Sequence, residues 1–147
     1  MKFRLNLIDT VDEEIVATVR KKTPLVEEIE RLCREDRIDI STINGYREDE
    51  IYLLDVRDID VIYLQDTKTY VIDRDGITYL IKMRLYEIEE SIGSEFVKIN
   101  KSCIIRLSGI EKFSITFGGV FEVKLRCGYI DYVSRRRLVD IKRRLNI

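Results

Sequence analysis

The sequence predicts an α+β fold, mainly β, that ends in a basic helix. Three observations carry that expectation. Short apolar-polar alternations recur along most of the chain, separated by turn residues, while helical spacing is confined to three segments. The last of these, VSRRRLVDIKRRL from Val133 to Leu145, places Leu138, Ile141 and Leu145 on one stripe of a 3.6-residue repeat. Arg135, Arg136, Arg137, Lys142, Arg143 and Arg144 fall off that stripe, so one face docks and the others stay basic.

Taken in order, Phe3, Leu5 and Leu7 alternate with polar neighbours as in a half-buried strand, and Ile15 to Val19 repeats the pattern. A helix follows, with Thr23 as N-cap, Pro24 at the first helical position, and Leu25, Ile29 and Leu32 on one face. Ile38 to Ile43 reads as a strand before an Asn44-Gly45 turn. Residues 1–44 are therefore expected to form a small β-β-α-β unit for dimerisation or partner docking, and residues 45–147 a second domain.

In the second domain, strands are expected over Ile51–Leu54, Ile59–Gln65, Thr69–Asp73 and Thr78–Lys82, with turns at Asp66-Thr67-Lys68 and Arg74-Asp75-Gly76. Leu85, Ile88 and Ile92 predict a short helix closed by a left-handed Gly93. Further strands follow over Val97–Ile99, Cys103–Arg106, Ile110–Phe117, Val120–Arg126 and Tyr129–Val133, with hairpin turns at Gly118-Gly119 and Cys127-Gly128. Phe113, Phe117, Phe121 and Tyr129 are expected to pack in the core or cover a sheet edge. Ser134 then caps the basic helix, its hydroxyl accepting from an amide of the first turn.

Composition narrows the chemistry. There is no histidine among the 147 residues, which removes the commonest general base and metal ligand, so an enzyme is not expected. Cys33, Cys103 and Cys127 are odd in number and widely spaced, arguing against a disulfide framework or a zinc site. Neither metal nor cofactor is expected, and no small-molecule substrate. No run has the length of a membrane span and the N-terminus lacks an apolar signal core, so the expected location is cytoplasmic. The net charge of -1 hides an asymmetry. From Phe96 onward twelve Lys and Arg stand against four Asp and Glu; the remainder carries fourteen against twenty-three. A basic C-terminal module beside an acidic remainder is the footprint of a nucleic-acid-binding surface.

Three stretches then carry a family resemblance: Asp58-Ile59-Asp60-Val61-Ile62-Tyr63-Leu64, the run FVKINKSCIIRLSGI from Phe96 to Ile110, and Val133-Ser134-Arg135-Arg136-Arg137 with its helix. In this order and spacing, over about Gly45 to Ile147, the sequence resembles the LytTR family of bacterial DNA-binding domains. As a whole it is similar to stand-alone members without a receiver domain.

The resemblance implies packed antiparallel sheets and a transcriptional regulator that sets loops, rather than a recognition helix, into successive major grooves of duplex DNA. By motif, Tyr70, Lys101 and Arg136 are the implied base readers. Arg forks onto guanine O6 and N7, and Lys reaches the same acceptors with a single charge. Lys68, Lys98, Asn100, Ser102, Arg106, Ser134, Arg135, Arg137, Lys142 and Arg143 are assigned to phosphate contact or positioning. Arg106 departs from the asparagine usual at its place, adding a positive charge expected beside the Lys101 loop. The resemblance also implies a homodimer on repeated half-sites and, for stand-alone members, a regulatory membrane protein partner. The competing reading is a module whose basic C-terminal helix docks an acidic protein or an anionic surface; RNA binding is a third.

Overall fold

The structure is a computed structural model that describes residues 18–35 and 40–147. The chain divides into two compact units, Met1–Ile38 and Asp39–Ile147. In the first, helix α1 spans Pro24–Glu35. The Thr23 hydroxyl accepts from the Val26 amide at 3.4 Å and its carbonyl from the Glu27 amide at 3.0 Å, as the sequence predicts for an N-cap. The strand expected over Phe3–Leu7 lies outside the described residues. So does most of Ile15–Val19, whose last two residues are described and not in a strand.

The second unit begins with β1 (Thr42–Arg47), β2 (Glu50–Asp55), β3 (Ile59–Gln65), β4 (Lys68–Asp73) and β5 (Thr78–Ile81). Helix α2 (Leu85–Ser91) leads to β6 (Phe96–Asn100) and β7 (Cys103–Arg106). These seven strands form one antiparallel sheet in the order β2-β1-β5-β4-β3-β7-β6. Then β8 (Ile110–Ile115), β9 (Phe121–Leu125) and β10 (Ile130–Val133) form a second sheet, and helix α3 (Arg135–Leu145) closes the chain.

Alternation along each strand divides the buried side chains between two cores, because successive Cβ atoms point to opposite faces. Ile62, Val71, Ile81 and Ile104 pack with Leu85 and Ile88 of α2 and with Ile92 just after it. Val61, Ile72, Val97, Cys103 and Ile105 pack with Val123 and Leu125 of the small sheet and with Leu138, Ile141 and Leu145 of α3. The stripe read from the sequence is thus the docked face of α3, with Ile141 fully buried. Packed antiparallel sheets and a C-terminal helix are the architecture the sequence predicts.

The departures are local and each has a physical cause. Asn44-Gly45 is not a turn. Both residues lie inside β1, opposite Leu53 and Tyr52, and the boundary expected before Gly45 would cut that strand. A Cβ on Gly45 would stand 2.6 Å from Leu54 Cδ1 and 2.9 Å from Tyr79 Cβ, so the glycine is required by close approach. The β1–β2 turn is made instead by Glu48 and Asp49, with φ of 50° and 63°; the β3–β4 turn falls at Asp66 and Thr67, where the sequence predicts it, with φ of 50° and 65°. Two left-handed residues in a row suit a two-residue hairpin, though side chains other than Gly, Asn and Asp seldom supply them. Helix α2 ends at Ile92 in extended backbone, so Gly93 is not a left-handed cap. Phe113, Phe121 and Tyr129 pack against the second core, while Phe117 stands fully exposed at the Gly118-Gly119 hairpin tip.

Candidate nucleic-acid interface

Three segments named by the sequence meet at one end of the sheets. Strand β3 ends, and β4 starts, at the Asp66-Thr67 turn. Beside it, the Leu64 amide donates to the Ser102 carbonyl at 2.8 Å, holding the β6–β7 turn that carries Lys101. On the other side of that turn, the Ser134 amide donates to the Ile99 carbonyl at 2.9 Å, bringing in the start of α3. Asn100 locks the junction. It is buried, donates from Nδ2 to the Tyr132 carbonyl at 3.0 Å and accepts from the Ser102 amide at 2.9 Å. An Asx-type acceptor two residues before its donor is a turn former, so Asn100 shapes the loop and exposes Lys101. Ser134 accepts from the Arg137 amide at 3.4 Å, which fixes the first turn of α3.

The predicted site residues divide by what surrounds them. Lys68, Lys101, Arg135 and Arg136 are exposed and, among the described residues, no carboxylate pairs with them. Tyr70 is half-buried: its ring stacks on Tyr63 at 5.4 Å and 22°, and Tyr63 meets Tyr129 at 5.5 Å. Lys98 is mostly buried and paired with Glu89 at 2.7 Å, and Arg137 reaches the same carboxylate at 4.0 Å, so this pair ties β6 and α3 to α2. Further along α3, Arg143 pairs with Asp140 at 2.5 Å and the Lys142 ammonium stands over Phe121 at 5.4 Å. Arg144 donates to the carbonyls of Phe96 and Ser94 and is a clamp.

Arg106 is placed otherwise than expected. Strand β7 runs away from the Lys101 turn, so Arg106 sits at the far end of the sheet with its side chain only 11% exposed. It donates to the carbonyls of Ile59, at 2.8 Å, and Val56, lies 4.4 Å from the Phe96 ring centroid and faces Asp60 at 3.6 Å. Burial raises the Asp60 carboxyl above its usual range, and the Arg106 guanidinium pulls it back only in part. Held this way, Arg106 is a structural residue and leaves the phosphate set.

Two cations that sequence reading passed over join the site. Lys82 and Arg84, at the end of β5 and the start of α2, line a cleft of about 770 Å³ together with Thr67, Lys68, Lys98 and Lys101. Their signal in the sequence is slight: two cations flanking Met83 where a strand gives way to a helix. The buried aromatic side of the site is inert by contrast. Desolvation pushes the Cys103 thiol and the Tyr129 hydroxyl well above their ordinary values, keeping both neutral.

An exposed cationic rim built from turns, without carboxylate partners among the described residues, is what the fold presents at this end. Comparison with known proteins gives the family. Residues 49–146 match the LytTr DNA-binding domain family, and the chain belongs to that family. Its relatives include uncharacterized HTH-type transcriptional regulators of Staphylococcus aureus strains bovine RF122 / ET3-1 and NCTC 8325 / PS 47. Each is 32% identical over 106 residues, covering 72% of this chain and 71% of the relative. A solved LytTr DNA-binding domain from Bacillus cereus shares the fold at TM-score 0.66 and 19% identity, over 74% of this chain and 99% of that one. In the present chain five strands separate α1 from α2 and five separate α2 from α3. No two described helices are thus joined by the short turn that helix-turn-helix docking uses. Nor is any described helix long and apolar enough to cross a membrane.

Proposed function

We propose that this chain is a transcriptional regulator that binds duplex DNA sequence-specifically, setting the turns at one end of its sheets into successive major grooves. The observation that carries this reading is the convergence of Lys68, Lys101, Arg135 and Arg136, all exposed and unpaired, on one hydrogen-bonded junction. Lys101 and Arg136 are the base-reading residues, with Tyr70 as a third whose stack on Tyr63 fixes its ring. Lys68, Ser102, Arg135 and the exposed Lys142 and Arg143 meet phosphates, while Asn100 and Ser134 position the turns. The regulator works in the cytoplasm as a homodimer on repeated half-sites, with the N-terminal segment, expected over residues 1–44, supplying self-association or a docking surface for a regulatory partner.

Docking of the basic helix onto an acidic protein has less support. In the C-terminal half of α3, the Arg144 guanidinium is already committed to the carbonyls of Phe96 and Ser94.

Selection of duplexes from a random pool tests the proposal. The full chain should enrich a repeated motif and prefer it over scrambled competitor by about 10³ or more. Recovery of unrelated sequences, with equal affinity for every duplex, would overturn it. Sedimentation of the full chain on a duplex with two half-sites should show two copies bound and one alone failing to reach full affinity.

A further inference from the structure

We propose that the cleft between the β3–β4 turn and the start of α2 seats backbone phosphates of the bound duplex, with Lys82 and Arg84 as positioning residues. The inference rests on the DNA-binding reading above and extends it from Lys68 and Lys101 to Lys82 and Arg84, which lie outside the base-reading turns.

Five cationic side chains, Lys68, Lys82, Arg84, Lys98 and Lys101, line this cleft, and no carboxylate lines it. Among the described residues, only Lys98 of these five has an acidic partner, Glu89. Like charges gathered around a concave surface repel one another, and low-dielectric walls focus their field outward. An arrangement of that kind is stabilised by an anion shared among them. The individual side chains are prepared for one. The Lys82 ammonium stands 4.6 Å from the Tyr46 ring centroid, which orients it without neutralising its charge. The Arg84 amide donates to Glu87 Oε2 at 3.1 Å, anchoring the main chain, whereas the exposed guanidinium has no acceptor among the described residues. The cleft is open, its volume of about 770 Å³ exceeds what one phosphate group fills, and Lys101 is among its lining residues. A strand whose bases meet Lys101 therefore passes its neighbouring phosphates along Lys82 and Arg84. Free inorganic phosphate offers the same oxygens, but not a chain of them spaced along the cleft.

The test uses the full chain, its selected duplex and the variants Lys82→Gln and Arg84→Gln, both exposed positions where the fold loses no hydrogen bond. Affinity is measured across a series of salt concentrations. Each variant should reduce the slope of log K against log salt by about 0.9. Affinity should fall alike for selected and scrambled duplexes, so their ratio is unchanged. Ethylation of a few backbone phosphates outside the base-read segment should weaken the wild type and have no further effect on Arg84→Gln. A wild-type slope in both variants overturns the proposal while leaving sequence-specific binding intact. So does a changed base preference, which makes Arg84 a reader. Saturable binding of inorganic phosphate that depends on Arg84, with the DNA slope unaltered, overturns the backbone assignment. Failure of the wild type to prefer any duplex overturns the functional reading itself, and this inference with it.

Discussion

The two ends of the large sheet carry comparable numbers of cations and use them in opposite ways. At the end where β3 begins, Arg57 pairs with Asp55 at 2.7 Å, holding that carboxyl down to about 2 through hydrogen bonds from the guanidinium and the amide. Arg74 lies 3.6 Å from Asp58 and donates to the Arg57 carbonyl at 2.5 Å. Arg106 faces Asp60, and Arg126 donates to the Ser108 carbonyl. Every one of these guanidiniums closes a loop or a strand end. At the other end, Lys68, Arg84, Lys101, Arg135 and Arg136 have no such acceptor among the described residues. A net positive charge over the C-terminal third therefore does not by itself locate an interface. What locates it is charge without an internal partner, since a cation already satisfied within the fold gains little by meeting a phosphate.

Removing a cation from each end should separate the two uses, and the largest effect is expected where no DNA is involved. Arg106→Ala removes the main compensating charge from buried Asp60, leaving Arg74 and Arg126 as weaker partners, so unfolding free energy should fall by up to about 3 kcal/mol. The affinity of the folded fraction for DNA should be unchanged. The pH dependence has a definite sign. Burial raises the folded pKa of Asp60 above its unfolded value. The associated stability is thus complete below the unfolded pKa, about 3.9, and is lost as pH rises through the folded one. In Arg106→Ala that folded value rises further, so the deficit in urea unfolding should be smaller near pH 4 than near pH 7. Adding Asp60→Asn should restore part of the loss. An Arg106→Ala protein of normal stability that binds DNA poorly would return Arg106 to the interface and break the contrast between the ends.

Within the interface the expected effects are no larger and differ in kind. Arg136→Ala should cost about 1–3 kcal/mol of binding and flatten preference at one base position. Lys142→Ala, already held over Phe121, should weaken all duplexes alike and lower the salt slope by about one at most. Titration of base-substituted duplexes at several salt concentrations separates these outcomes. A uniform loss in Arg136→Ala would make it a phosphate contact, and the reading surface would then rest on Lys101 and Tyr70.

Much of the fold was legible because period-two alternation marks strands wherever one face is buried, and most of the second unit consists of such strands. The Thr23 and Ser134 caps and the stripe of α3 were legible for the same local reason. Gly45 was misread because a glycine kept by the approach of Leu54 and Tyr79 looks, in sequence, like a glycine kept by a turn. The β1–β2 turn hid in Glu48-Asp49, where pairing geometry imposes left-handed backbone on residues that do not advertise it, whereas the turn at Asp66-Thr67 is legible from its polar residues between two apolar alternations. At the proposed interface, Lys101 and Arg136 stand out in the sequence through their motifs, and the structure leaves both exposed. The engagement of Arg106 and Lys98 was not legible there, since Arg106 depends on carbonyls of Val56 and Ile59 about fifty residues away. Lys82 and Arg84 were passed over for the same reason. Only the meeting of α2 with the β6–β7 and β3–β4 turns gives them a role.

The smallest effect sharpens the contrast from inside the interface. Ser134 was assigned to positioning, and its hydroxyl makes a long bond, 3.4 Å, to the Arg137 amide. The entry into α3 has a second support, because the Ser134 main-chain amide donates to the Ile99 carbonyl whatever the side chain is. Ser134→Ala should therefore cost about 0.5–1 kcal/mol of stability, at the lower end for an N-cap, with the helix retained by circular dichroism. Affinity should fall by less than in Arg136→Ala, since Arg135 and Arg136 lose only part of their orientation. Base preference should persist, because no base-edge donor has been removed. If affinity instead falls as far as in Arg136→Ala while stability stays within that range, the hydroxyl is itself a DNA contact. The reading surface would then begin one residue before the helix.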